Sequence, residues 1–215
     1  MNRTVEAFTA AQRIMDKLEL AGFDALNPTD IKDNSYNLPD DIHCSWGASR
    51  VVVWDDECDY VIKIARGPFD EKYNVHEVEV YAAAVEEGLE ETFAWCACYI
   101  EPVDYGDVSI PGIYVMEFLE GDEEDISQRA YDCGLNNYCE THGITYPTSD
   151  TCDDYERIVN EDEEIMELVE STMPQHKRGL FERFLIDWNV SDIHCGNVLF
   201  RNDTYVICDY AGYGW

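Results

Sequence analysis

The chain has 215 residues, enough for one sizeable core or two small lobes and short for three domains. Hydrophobic residues at 46% and aromatics at 13% exclude wholesale disorder, while 46 acidic against 14 basic residues give a formal net charge of −32. A field of that sign argues against a nucleic-acid binder that neutralises phosphates, and against an anionic membrane surface. In chain order, residues 3–22 predict an amphipathic helix, with Val5, Phe8, Ala11, Ile14, Met15, Leu18 and Leu20 near helical spacing and Gly22 as its end. Glu6, Asp16, Lys17 and Glu19 interrupt this segment, so it does not read as a signal peptide. No run approaches 18 apolar residues. Nine cysteines, without an export signal, read mostly as thiols, and a cytoplasmic protein is expected.

Residues 24–44 are rich in Asn, Asp and Pro and predict a loop. Arg50–Trp54 and Tyr60–Ala65 are strand candidates around the turn Asp55–Glu57 and together predict a hairpin. A helix is expected from about Asn74 to Glu87, with Val75, Val78, Ala82 and Val85 as its apolar stripe and Gly88 ending it. Residues 93–103 and 112–119 read as two more strands joined by a Gly/Asp-rich turn near 104–111. From 120 to 154 the chain is acidic, Asn-rich and poorly periodic, which predicts a linker or insertion. Residues 155–188 read as two helices broken at Pro174, followed by a hairpin of Val198–Phe200 and Tyr205–Cys208. The expected organisation is an extension at 1–43, a sheet-rich lobe at 44–119, the acidic insertion at 120–154 and a small helical lobe at 155–215. This is an α+β architecture of two lobes with a cleft between them.

The segment that carries chemistry is Ser191-Asp192-Ile193-His194-Cys195-Gly196-Asn197-Val198. Asp192 and Asn197 are five positions apart, and Asp209 follows twelve positions later, after the hairpin. Two carboxylates and a carboxamide offer hard oxygen ligands for Mg²⁺ and leave one carboxylate to orient or accept a proton. Phosphoryl transfer needs such parts, because positioning and charge neutralisation do most of its catalysis.

These residues resemble the catalytic loop of the protein-kinase-like superfamily, in the D-x-H-x-x-N form of aminoglycoside and choline kinases and of small kinases carried by lytic bacteriophages. The resemblance runs over roughly residues 44–212 and keeps the family's order. Val61-Ile62-Lys63-Ile64 resembles the strand whose lysine grips the nucleotide phosphates, and Glu77 resembles the helix glutamate that pairs with it, with Glu79 as the competitor. Tyr114–Leu119 looks like the hinge strand, whose backbone, at Glu117 and Leu119, would meet the adenine. Gly47 and Ser49 stand where a phosphate-covering loop is expected. The resemblance implies a protein-kinase-like fold, ATP and Mg²⁺ as cofactors, Asp192 orienting the acceptor hydroxyl, and Asn197 and Asp209 as metal ligands. A small Ser/Thr protein kinase, in its phage-encoded form acting on host proteins in the host cytoplasm, is expected ahead of a small-molecule kinase, which shares the motif but builds its acceptor pocket from C-terminal helices not expected here.

The departures are specific. The Gly-rich loop is reduced to Trp46-Gly47-Ala48-Ser49, and Val190 and Ser191 replace the His and Arg that precede the catalytic Asp. Tyr210 replaces the Phe after the metal-binding Asp, with the glycine displaced to Gly212. The sequence stops six residues after Asp209, which predicts a truncated C-terminal lobe. A non-catalytic alternative fits the charge: a kinase-fold, DNA-mimicking acidic inhibitor that binds a basic host nuclease or regulator, with salt-rich cytoplasm as another source of the acidity. His194 is expected to bond its own loop backbone rather than a metal. Cys133, Cys139, His142 and Cys152 could offer zinc ligands, but their spacing fits no common finger and free thiols are expected. Cys96 and Cys98 would share one face of a strand as packing. The expected partner is a protein, acceptor or basic target, with a homodimer as an open form.

Overall fold

The computed structural model describes residues 2–210 apart from residues 58, 105–108, 120 and 122. They divide into two units, one of Met1–Ala83 with Ala94–Phe118 and one of Ala84–Phe93 with Leu119–Trp215. Much of the expected 104–111 turn and Gly212 lie outside the described residues. Among those described, no helix is long and apolar enough to cross a membrane.

In the first unit, α1 (Arg3–Leu20) is capped by Asn2, whose side chain accepts from Thr4 N at 3.0 Å. It stops before Gly22, which takes a left-handed φ of 87°. Its buried face is Ala7, Ala10, Ala11, Ile14, Met15 and Leu18, whereas Val5 and Leu20 of the expected stripe are exposed. Then follow α2 (Pro28–Asp33), β1 (Ile42–Trp46), β2 (Arg50–Asp55), β3 (Tyr60–Ala65) and α3 (Glu71–Glu87). The strands β4 (Cys96–Ile100), β5 (Val103–Asp104), β6 (Ser109–Ile110) and β7 (Ile113–Glu117) complete the unit. Residues 24–44 are therefore not a plain loop: Pro28 opens a short helix, Asn27 caps it through Asp30 N, and Ile31 is fully buried.

One antiparallel sheet in the order β1-β2-β3-β7-β4 carries the unit. Strand alternation splits it into two faces. Val51, Val53, Ile62, Ile64, Ile113 and Val115 join the alanines and Ile14 of α1 in one core. The register sets Val52 opposite Lys63 and Lys63 opposite Tyr114, so Arg50, Val52, Lys63 and Tyr114 share the other face. Residues 1–43, expected as an extension, thus supply the helix that covers the sheet; small alanines let it pack closely on β3 and β7.

The inward face of α3 differs from the expected stripe. Asn74, His76, Glu77, Val80, Ala83 and Ala84 are buried, while Val75 and Val85 are exposed. Polar groups that bond to the sheet anchor this face, so apolar periodicity points to the wrong side. Gly88, with a φ of 71°, ends the helix as expected.

The second unit contains α4 (Glu123–His142), α5 (Ser149–Glu156), α6 (Glu161–Ser171), α7 (Gln175–Asp187) and a hairpin of β8 (Val198–Arg201) and β9 (Thr204–Ile207). The helices break at Pro174, as the sequence predicts. Residues 120–154, expected as a poorly periodic linker or insertion, hold the 20-residue α4, packed along α6, and then α5. Their periodicity is carried largely by weak hydrophobes, Ala130, Gly134 and Cys139, alongside Ile126 and Leu135. Glu123, Glu124 and Asp125 stand in the first turn, where the helix dipole favours them. Gly134 is required by packing, since a Cβ there would lie 1.9 Å from Tyr155 Oη. The unit's centre is aromatic: Phe93 meets Phe184 at 5.4 Å and Tyr210 edge-on at 5.1 Å, with Phe181, Ile165 and Ile207 buried around them.

Candidate functional site

In the first unit, Lys63 rises from the middle of β3, buried among apolar neighbours, and its ammonium needs a counter-charge. It finds Glu77 on α3: Nζ lies 2.9 Å from Oε1 and 3.0 Å from Oε2. Glu79, the competing carboxylate, is exposed. A second cation, Arg50, sits at the start of β2 with Nη1 2.7 Å from Glu77 Oε1 and 3.5 Å from Asn74 Oδ1. Burial by itself would raise the Glu77 carboxyl, but Arg50 and Lys63 outweigh it and hold the carboxyl below its ordinary range. Sequence reasoning missed Arg50, while Asn74 entered it only as context for choosing Glu77, in Asn74-x-x-Glu77-x-x-x-Tyr81. The signals were present: Arg50 shares the Lys63 face by strand alternation, and Asn74 stands one helical turn before Glu77.

The turn between β1 and β2 holds Gly47 and Ser49. Gly47 N donates to Arg50 O at 3.0 Å, and Arg66 N donates to Ser49 O at 2.9 Å. The Arg66 guanidinium also donates to the carbonyls of Gly47 and Ala48 at 3.3 and 3.0 Å. Ser49 is buried, so its place is within the turn's own packing. A Cβ on Gly47 would meet open space within 4 Å. Among the described residues, no atom requires glycine there.

The Glu117 side chain, on the strand whose backbone is expected at the adenine, is occupied structurally. Oε1 accepts from Trp95 N at 2.9 Å and Oε2 accepts from Arg3 Nη2, while the Arg3 guanidinium lies over the Trp95 ring. Its amide N donates to Trp95 O at 2.9 Å. Leu119 is partly buried and opens the second unit, one residue after the first unit ends at Phe118.

In the second unit, α7 ends in a left-handed Asn189 with φ 49°, and Val190 N returns to Leu185 O at 2.8 Å. Val190 and Ile193 are buried and pin the loop, while Asp192 between them is exposed. His194 Nδ1 accepts from Gly196 N at 3.1 Å and caps the short turn Cys195–Asn197, the backbone role expected of it. Asn197 Nδ2 donates to Asp192 O at 2.8 Å, and Asn197 O accepts from Cys208 N at 2.8 Å. These two bonds bring Asp192, Asn197 and the residue before Asp209 together. Asp192 and Asp209 have φ of 65° and 54°, left-handed backbone that a short polar side chain tolerates at some cost.

The donor chemistry of this loop fits Mg²⁺. With Nδ2 committed to Asp192 O, Asn197 presents Oδ1, a hard neutral oxygen, and Asp209 adds a carboxylate. The zinc alternative finds no support: among the described residues no three His, Cys, Asp or Glu side chains gather to hold a metal. Cys139 is buried beside Leu135 and Tyr155, Cys152 packs at the edge of that cluster, and His142 lies against the Tyr138 ring with centroids 4.1 Å apart. On the sheet, Cys96 and Cys98 share one face, and Cys96 Sγ donates to Glu77 O at 3.4 Å.

No family model matches the sequence, and no curated protein matches it. Among solved structures the chain is similar to aminoglycoside phosphotransferases. The GDP and kanamycin complex of APH(2")-IIia is 12% identical, with a TM-score of 0.40 over 85% of this chain and 71% of that one. The ADP-bound aminoglycoside phosphotransferase APH(2'')-Ib is 14% identical, with a TM-score of 0.36 over 84% and 68%. The streptomycin–ATP–APH(2")-IIa ternary complex is 11% identical, with a TM-score of 0.38 over 98% and 71%.

Proposed function

We propose that the chain is an ATP- and Mg²⁺-dependent phosphotransferase of the protein-kinase-like kind. The observation that carries this is the buried pair of Lys63 Nζ with both oxygens of Glu77, a costly arrangement to maintain unless the lysine has a task. Lys63 binds and orients the nucleotide phosphates, and Glu77 fixes its ammonium. Asn197 and Asp209 hold Mg²⁺, which when bound draws charge from the phosphates. Asp192, exposed at the loop's turn, orients the acceptor hydroxyl and takes its proton. Left-handed backbone at Asp192 and Asp209 supports a functional role for both, since such conformations persist where the surroundings enforce them.

The acceptor assigned here is a Ser or Thr hydroxyl on a protein with basic surroundings. A cavity of about 630 Å³ beside the loop supports this, lined by Glu123, Glu124, Ser127, Gln128, Tyr131 and Cys195. A phage-encoded enzyme acting on host proteins is the finer form of the same proposal and rests on the catalytic-loop resemblance. The test is incubation of the purified protein with γ-labelled ATP and Mg²⁺, alone and with a cell lysate, beside Asp209→Asn. Label transferred only by the wild type supports the proposal. No label from a folded wild type overturns it and leaves the acidic binding protein as the alternative.

A further inference from the structure

Glu77 is held by two cations, and their chemistry is not equivalent. Arg50 is a planar fork that is fixed once bonded, and its contact to Asn74 ties the same guanidinium to α3 one turn before Glu77. Lys63 carries rotatable donors on a flexible stem. Besides its two bonds to Glu77, Nζ lies 3.7 Å from Met116 Sδ, a weak acceptor that a phosphate oxygen replaces with gain. Arg50 also follows directly on the Gly47–Ser49 turn and accepts from Gly47 N through its carbonyl. The residue that grips Glu77 is thus the one that closes the turn.

We propose that Arg50 is a positioning residue for nucleotide binding: it holds Glu77 in place and anchors the Gly47–Ser49 turn to α3, so that Lys63 can turn to the phosphates. This rests on the function proposed above. Removing one partner of an isolated buried pair strands the other's charge, but loss of Lys63 leaves Glu77 with Arg50. Loss of Arg50 draws Lys63 wholly onto Glu77 and away from a ligand. The two cations therefore separate in their effects, Arg50 on the fold and on phosphate recognition through Lys63, Lys63 on phosphate recognition directly.

The experiment compares wild type, Lys63→Met, Arg50→Met and Arg50→Lys by thermal unfolding and by calorimetric titration with Mg²⁺·ATP and with adenosine. Lys63→Met is expected to unfold within about 3 °C of wild type. It is expected to bind ATP about 10-fold more weakly, with adenosine unchanged. Arg50→Met is expected to unfold at a lower temperature than Lys63→Met and to lose about 5-fold in ATP affinity, again with adenosine unchanged. Arg50→Lys keeps the charge without the fork and is expected to recover most of both; it supplies the same ATP-to-adenosine comparison if Arg50→Met does not fold. A merely structural Arg50 would weaken both ligands alike or neither, and that result, or equal losses of stability in the Arg50 and Lys63 variants, overturns the inference. A wild type that binds neither ligand overturns the proposed function and this inference with it. A wild type that binds ATP no better than Arg50→Met overturns the inference alone.

Discussion

Arg13 grips Asp55 with two bonds, Nε to Oδ2 at 2.8 Å and Nη2 to Oδ1 at 3.1 Å, and so joins the middle of α1 to the last residue of β2. Lys17, one turn along the helix, adds a bond to Asp55 Oδ2 at 2.9 Å and another to Asp41 at 2.7 Å. Burial opposes the charge on Asp55, but the hydrogen bonds from Arg13 and Lys17 win and hold its carboxyl at about 2. In a chain of net charge −32, these cations are spent where they fasten a helix to the sheet.

Acid sensitivity follows from that pair. The folded carboxyl lies below its unfolded value of 3.8, so the contribution is complete above about pH 4 and is lost as pH falls toward 2. It amounts to at most about 2 kcal/mol. Urea unfolding of wild type and Asp55→Asn between pH 6 and 2 checks it. The expected result is a stability gap near neutral pH that narrows between about pH 4 and 2; a constant gap contradicts the role given to Asp55.

The sequence made four of the five strands of the sheet, the break at Pro174 and the late hairpin legible, because valine and isoleucine runs, proline and Asn-Asp turns act locally; β1 was not legible, because Ile42-His-Cys-Ser-Trp46 lacks such a run and its first residues fall in the segment read as loop. It also paired Lys63 with Glu77 rather than Glu79, from the Asn74-x-x-Glu77-x-x-x-Tyr81 context. It hid the inward face of α3, since that face is built from Asn74 and Glu77 rather than from valines. It hid α4, whose core contacts are made by alanine, glycine and cysteine. Arg50 was missed because an arginine heading a strand after a turn looks like a surface residue until the register sets it beside Lys63. Glu117 was read for its backbone, and the bond of its carboxylate to Arg3 could not be seen without the fold of α1.

The cluster of α4, α5 and α6 depends on glycine at one point. Gly134→Ala would drive a methyl into Tyr155 Oη, which donates to Glu164 Oε1 at 2.7 Å. The substitution is expected to destabilise the fold by about 1–3 kcal/mol, although alanine is the better helix former. Chemical denaturation of the variant measures this. An unchanged or higher stability would contradict the packing described for residues 123–171.

Gly47 separates fold from ligand. Gly47→Val fills space that no protein atom occupies within 4 Å, so the unfolding midpoint is expected to stay within about 2 °C of wild type. If the turn covers the phosphates as the proposed function has it, affinity for Mg²⁺·ATP is expected to fall about 5-fold or more, because the branched side chain would stand between backbone and phosphate. Calorimetry and thermal unfolding on the same samples check both halves. A variant that binds ATP normally would remove the turn from the nucleotide site.

In the proposed function Asp192 carries the step that distinguishes a phosphotransferase from a nucleotide-binding scaffold, and it is exposed on a loop pinned by Val190, Ile193 and Asn197. The most direct measurement is phosphate transfer from γ-labelled ATP by Asp192→Ala and wild type, with Mg²⁺·ATP affinity and circular dichroism recorded on both. The account predicts an unchanged spectrum, ATP affinity within about 3-fold of wild type, and transfer reduced at least about 100-fold. Transfer by Asp192→Ala at the wild-type rate would contradict it.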